Sequence, residues 1–403
     1  MKNIERTDDE RVGMTAFGRT EFESRLVRTK ELMSERELDL LIVNDPANMH
    51  YLTGYDGWSF YVPQCVVVSL EEEEPVWIGR GIDAPGVPAT TYLKQENIHY
   101  YTDNYVHVAD IHPADFIVDM LKLRNWNKGN IGVELDSHYY TGAIHQKLQE
   151  GLLPGQLKDS GNLVNWIRAI KSETEISLMQ EAAEILERVM NLAINLVEPG
   201  LRQCDLAAEV EREKLKGTSE FGGDYTAIVP LIPTGENTGI PHIHWTDKEF
   251  QKDELVVMEL AAARHHYHCP MARTVYLGEP PEVLLNIAAA AEEGVEAALS
   301  SIEPGKRCEE IEAAFRLVLA KHGYVKASRM GYSIGLGFPP DWGERTMSIR
   351  PGAREILRPN MTFHLMPALW GDSWGVEISQ SFRVTESGCE TLGSIPRKLF
   401  IKR

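Results

Sequence analysis

The chain of 403 residues has only five cysteines, Cys65, Cys204, Cys269, Cys308 and Cys389, odd in number and without a Cys-x-x-Cys spacing. That excludes a disulfide framework or a cysteine-built zinc ribbon and predicts reduced thiols in a cytoplasmic protein. No apolar run approaches the roughly 20 residues a bilayer needs, so a membrane is not expected as a partner. Residues 1–17 are charged and lack an apolar centre, so no secretory leader is expected. Basic charge is also short: 41 Lys and Arg against 60 Asp and Glu leave a net −19. A surface this acidic repels phosphate backbones, and nucleic acid is not expected as a partner either. Long charged tails of the kind scaffold proteins carry are missing.

What is present is ordinary for a globular protein, with 43% hydrophobic and 25% charged residues in a chain long enough for two domains. Residues 21–37 carry apolar positions at helical spacing. Leu38 to Val43 read as a buried strand, Asn44-Asp45-Pro46 as a turn, and the runs at Val66–Val68 and Pro75–Ile78 as further strands. This predicts an α/β lobe over residues 1–168, with 1–16 flexible. A boundary falls in Arg168 to Ile176, where Ser172 and Glu175 form a capping box ahead of a long amphipathic helix running toward Val197. The remainder, 169–403, contains an internal repeat. Residues 198–210 (EPGLRQCDLAAEV) and 303–315 (EPGKRCEEIEAAF) share Glu-Pro-Gly, an Arg two residues on, and matching apolar positions at Leu206 and Ile311, Val210 and Phe315. Two helix–turn–helix units predict a pseudo-twofold domain.

These segments, with Met361-Thr362-Phe363-His364-Leu365-Met366-Pro367 and Val384-Thr385-Glu386-Ser387-Gly388, resemble the creatinase/prolidase/aminopeptidase P family. The resemblance spans essentially the whole chain. It implies an α/β (α+β) fold: a creatinase-like N-terminal lobe and a C-terminal pita-bread domain holding the active site between pseudo-symmetric halves. It also implies a homodimer in which the N-terminal lobe covers the partner's site. Metal-dependent members use two Asp, one His and two Glu as ligands. Aligned on Arg273-Thr274, Gly331 to Gly335 and Phe363 to Pro367, those positions fall on Glu259, Pro270, Tyr332, Met366 and Ser379. A pair of divalent cations needs several anionic oxygens. Only Glu259 supplies one, so no metal and no other cofactor is expected.

The family's catalytic His position falls on His242, in GENTGIPHIHW, where an imidazole near its pKa can take up or release a proton. A loop histidine with a purely structural hydrogen bond is the plainer account. Glu259 interrupts the apolar run Leu255 to Leu260, where a buried carboxylate is costly unless partnered; a solvent-facing strand position is its plainer account. His265, His266 and His268, with the His242-x-His244 pair, make only a weak zinc pattern and read as cleft or turn residues.

Longer strings narrow the resemblance to ectoine hydrolases: Asn48 to Tyr61, Phe221 to Tyr225, Pro339 to Ser348 and Thr385 to Leu392. This implies an enzyme that opens the cyclic amidine of a small zwitterion to N-acetyl-2,4-diaminobutyrate without metal, paired in function with a separate deacetylase. The catalytic candidates are then Glu259, as nucleophile or general base, and His242, as proton donor. An amidinium favours aromatic faces and carboxylates. Trp58, Phe60, Tyr61 and Trp342 are therefore candidate walls, or equally hydrophobic anchors. Asp224, Tyr332, Asp341 and Glu377 are further substrate-binding candidates. Arg345 or Arg273 could hold the substrate carboxylate, although Arg273 could instead pin its strand to a neighbour. Three other readings remain open: an amidinohydrolase acting on creatine-like compounds, an X-Pro aminopeptidase with rearranged metal ligands, and a pita-bread module that binds without catalysis.

Overall fold

The computed structural model describes residues 16–403; the expected flexibility of 1–16 falls, but for Ala16, outside the described residues. Backbone contacts divide the chain into two compact units, one ending at Arg168 and the other Ala169–Arg403.

In the first unit short strands form a six-stranded sheet. They are β1 (Leu40–Val43), β2 (Cys65–Ser69), β3 (Val76–Arg80), β4 (Ile98–Tyr101), β5 (Asn130–Val133) and β6 (Gln156–Asp159), in the order β4-β3-β2-β1-β5-β6. β1 is buried along its whole length, as a continuous apolar run requires of a strand covered on both faces. The turn expected at Asn44-Asp45-Pro46 instead starts a helix, Pro46–Thr53. The Asp45 side chain accepts from the Ala47 N–H, and Pro46 occupies the first turn, where its missing N–H costs nothing.

The second unit opens on a capped helix. Ser172 and Glu175 close the capping box (2.8 and 3.3 Å) on the helix Glu173–Leu196. The repeat is real in three dimensions. The helix pairs Glu173–Leu196 with Gln203–Lys216, and Glu282–Ser300 with Cys308–Lys321, are each joined through a glycine at positive φ, Gly200 at 91° and Gly305 at 89°. The same backbone bonds recur around both turns. Gly200 N–H donates to Phe250 and Gln203 N–H to Lys248, while Gly305 N–H donates to Leu357 and Cys308 N–H to Glu355.

Between the helix pairs runs an eight-stranded sheet. The long hairpin β7 (Glu254–Arg264) and β8 (Tyr267–Leu277) pairs residue for residue, with Glu259 opposite Ala272. Beyond β8 lie β9 (Gly331–Phe338), its partner β10 (Asp341–Ile349), and β11 (Thr362–Leu365). A separate ribbon, β12 (Ala368–Trp370) and β13 (Gly375–Glu377), follows β11; β14 (Gln380–Val384), β15 (Cys389–Leu392) and β16 (Phe400–Lys402) complete the sheet. One apolar cluster, including Ile287, Val295, Phe315, Phe363 and Phe382, fixes the second helix pair against the sheet.

Candidate active site

A cavity of about 560 Å³ opens in the second unit over β7, β9 and the β12–β13 ribbon. Side chains alternate along a strand, so Val257 and Glu259, two apart on β7, reach the cavity together. Glu377 ends β13 and reaches the same cavity, as do Tyr332 from β9, Asp341 from the start of β10, and His242 from the loop before β7. Glu259 and Glu377 are 7% and 4% exposed, whereas His242 is exposed, in a left-handed backbone conformation (φ 66°).

Burial and the neighbouring Glu377 charge raise the Glu259 carboxyl well above the ordinary carboxylate range. Burial likewise pushes Glu377 up to about 7, opposed by the charge of Lys326. One Glu377 oxygen, Oε1, has no hydrogen-bond partner among the described residues. Two acids that resist ionising side by side leave a cavity that gains by admitting a cation.

Five of the sequence candidates thus meet: Glu259, His242, Glu377, Tyr332 and Asp341. Arg273 does not join them. It is fully buried in β8 and donates to the carbonyls of Ala272, Ser379, Ile395 and Pro396 (2.5–3.0 Å) and to Gln380 Oε1 (3.3 Å), so it pins strands together rather than awaiting a carboxylate. Trp342 is 1% exposed and turned away from the cavity, because it alternates with Asp341; its indole N–H donates to the Tyr332 hydroxyl at 2.8 Å. Arg345 sits at φ 53° in a bulged stretch of β10 and does not line the cavity. Asp224 accepts the His266 N–H (3.2 Å) at the turn of the β7–β8 hairpin, again away from the cavity. Trp58, Phe60 and Tyr61 belong to the first unit. There Trp58 and Tyr61 are 57% and 60% exposed, and the Trp58 and Phe60 rings meet at a tilt of 52° with centres 4.7 Å apart. Among the histidines, His265 and His266 form the hairpin turn. His268, fully buried, binds the His266 carbonyl (2.8 Å) and the Ala227 N–H (2.9 Å).

Three lining or bordering residues were missed. Arg329 reaches the cavity with its guanidinium 4.4 Å from the Tyr332 ring centre, an available partner for an anionic group. Trp370 supplies an aromatic wall from within the same unit. Lys326, over the Trp370 ring at 4.4 Å, is lowered to about 8 by burial. Arg329 and Lys326 lie outside regular elements, where no periodicity marks them. Trp370, in a three-residue strand, offers as little signal.

The donor set does not suit a metal pair. Among the described residues no group of three or more His, Cys, Asp or Glu side chains is arranged to hold an ion. Of the five aligned ligand positions, Tyr332 and Ser379 bind His364 instead (3.2 and 2.6 Å), and the Pro270 carbonyl accepts from Ser381.

Comparison with known proteins agrees with this architecture. Residues 25–170 match the creatinase/prolidase N-terminal domain, and residues 177–386 match metallopeptidase family M24. An ectoine hydrolase of Halomonas elongata is 44% identical over 393 residues, covering 96% of this chain and 98% of its own. An uncharacterised hydrolase/peptidase of Sinorhizobium fredii is 43% identical over 386 residues, with 96% and 98% covered. The crystal structure of a prolidase from Thermococcus sibiricus superposes with a TM-score of 0.83 at 20% identity, over 95% of this chain and 100% of that one. A creatinase-type N-terminal domain followed by a pita-bread domain with this pseudo-twofold repeat makes the chain a member of the M24 family.

Proposed function

We propose that the protein hydrolyses the cyclic amidine of ectoine, and also that of hydroxyectoine, to the N-acetyl-2,4-diaminobutyrate skeleton without a metal ion. The observation that carries this reading is the buried Glu259–Glu377 pair in a cavity that also holds His242. A delocalised amidinium restores the balance of charge between two such acids, and in doing so draws the Glu259 proton off and frees a carboxylate for chemistry. Trp370 offers the cation a π face, and Arg329 the substrate carboxylate a bidentate donor. The 44% identity to an ectoine hydrolase supports the same substrate.

Glu259 drives the attack on the amidinium carbon, either through its own oxygen or by deprotonating a water. In the second route the water oxygen bonds to carbon and a tetrahedral adduct forms. A ring C–N bond then breaks with its electron pair on nitrogen, which is protonated by way of His242, while the added oxygen sheds its proton to become an amide carbonyl. The two hydrogens of one water end on the departing amine, so charge and atoms balance. The acetylated product is a substrate for a separate deacetylase, and a homodimer whose N-terminal units shield the partners' cavities would exclude bulk water.

The test is incubation of purified protein, assayed for metals and treated with chelator, with ectoine, hydroxyectoine, creatine and an X-Pro dipeptide in separate reactions. Ring opening of the first two, undiminished by chelation, is the expected result. Turnover of creatine or the dipeptide in their place, or activity that tracks bound metal, overturns the proposal. Mass spectrometry of enzyme quenched during turnover distinguishes a covalent Glu259 adduct from water attack.

A further inference from the structure

Two of the five aligned ligand positions, Ser379 and Tyr332, flank His364 in a chain of hydrogen bonds that ends at the cavity. Ser379 is fully buried, and its Oγ has two partners among the described residues: the Ala272 N–H at 2.6 Å and His364 Nε2 at 2.6 Å. His364, also fully buried, faces the Tyr332 hydroxyl through Nδ1 at 3.2 Å. The Tyr332 oxygen in turn accepts the Trp342 indole N–H at 2.8 Å.

Counting protons along this chain orients it. Burial, with the nearby charges of Arg273 and Arg329, depresses His364 to about 3, so the ring is neutral and carries a single N–H. Were that proton on Nε2, Ser379 Oγ would accept two bonds and its own buried O–H would have no acceptor, a cost of a lost hydrogen bond. With the proton on Nδ1, Ser379 accepts from Ala272 and donates to Nε2, and every group is satisfied. The Tyr332 oxygen then accepts from both His364 and Trp342. Its own hydrogen can point only where Tyr332 has room, into the cavity it lines. The groups whose charges reach that hydroxyl are Glu259, Asp341 and Arg329.

We propose that Tyr332 is a catalytic hydrogen-bond donor, its O–H held toward the cavity by the Ser379–His364 tautomer lock and directed at the oxygen that adds to the amidinium carbon. This rests on the ectoine reading above and deepens it. No proton leaves Tyr332; the bond strengthens as the added oxygen gathers charge on its way to an amide carbonyl, as a donor in an oxyanion hole does. Burial and the Glu259 charge keep the phenol protonated throughout. His364 and Ser379 act through Tyr332 and are positioning residues.

Two measurements test this. In Tyr332→Phe, kcat on ectoine should fall ~10²–10³-fold with KM little changed, the size expected for one donor to a developing oxyanion. Ser379→Ala, which frees His364 to carry its proton on Nε2 and capture the Tyr332 hydrogen, should lower kcat in the same sense with KM retained. Nitrogen-15 spectra of the full-length enzyme, with the His364 signals assigned by their loss in His364→Gln, should show the Nδ1–H tautomer in the wild type. They should show a shift toward Nε2–H in Ser379→Ala. An Nε2–H wild type overturns the lock, and a Tyr332→Phe enzyme within threefold of wild-type kcat overturns the contact. A wild type inert to ectoine overturns the substrate reading, and the contact with it; the tautomer spectrum needs no substrate and decides the orientation separately.

Discussion

At the scale of single residues, the proposed mechanism turns on Glu377, whose charge helps to raise the Glu259 carboxyl. Its carboxyl titrates at about 7 rather than the ordinary 4.5. A raised carboxyl binds its proton more tightly folded than unfolded, so stability is full below 4.5 and falls as pH rises toward 7. Activity should have the opposite sign if, as proposed, attack requires an ionised Glu259: kcat/KM should climb with pH along a limb that belongs to the pair. Removing the like charge in Glu377→Gln lowers the Glu259 carboxyl. The limb should therefore move to lower pH, and the loss of thermal stability between pH 5 and 7 should flatten. A pH series of kcat/KM and of melting temperature checks both, and an unmoved limb would detach Glu377 from Glu259. The sequence pointed to Glu259 and His242 through their alignment with known positions. For Arg273 and Trp342 it left two roles open each, and the structure has Arg273 pinning strands and Trp342 buried rather than lining the cavity. The acceptors of Arg273 come mainly from residues 379–396, a stretch brought beside β8 only by folding. Trp342 had to yield the cavity to Asp341, because adjacent residues on a strand face opposite sides.

At the scale of elements, the two Glu-Pro-Gly turns were legible because their requirement is local. Each needs a residue at positive φ between two helices, and glycine meets it without steric cost. Nothing lies within 4 Å of a Cβ built on Gly200 or Gly305, so alanine there would meet backbone strain and no clash. Gly200→Ala and Gly305→Ala should each cost about 1–2 kcal/mol, a fall of roughly 2–8 °C in the melting temperature of a unit this size. The two losses should match within error in calorimetry, since both turns make the same backbone bonds to the segments that follow. A large asymmetry would mean that the repeats are alike in sequence but not in load. By contrast, the helix Pro46–Thr53 escaped the sequence reading. All eight of its residues are buried, with polar Asn48, His50 and Thr53 interspersed among the apolar ones, so no amphipathic stripe marks it.

At the scale of the whole molecule, the proposed dimer assigns a place to the aromatic loop of the first unit. Trp58 and Tyr61 are large, exposed and three residues apart, apolar surface of the kind that marks an interaction site. In the proposed symmetric dimer, each Trp58 serves the other subunit's cavity, and this arrangement can be separated from service within one chain. Glu259→Gln removes the proposed nucleophile or base and should lower kcat more than ~10²-fold. Trp58→Ala should raise KM by removing an aromatic wall. When the two variants are unfolded, mixed in equal amounts and refolded, half of the dimers are mixed. In each mixed dimer one cavity then has an intact Glu259 from its own chain and an intact Trp58 from its partner. Assayed at an ectoine concentration well below the raised KM, activity should return to about a quarter of the wild-type value. If Trp58 instead served its own chain, no cavity in a mixed dimer would hold both groups, and mixing would restore nothing beyond the sum of the two parents. A light-scattering mass of one chain, near 45.4 kDa, would remove the arrangement altogether.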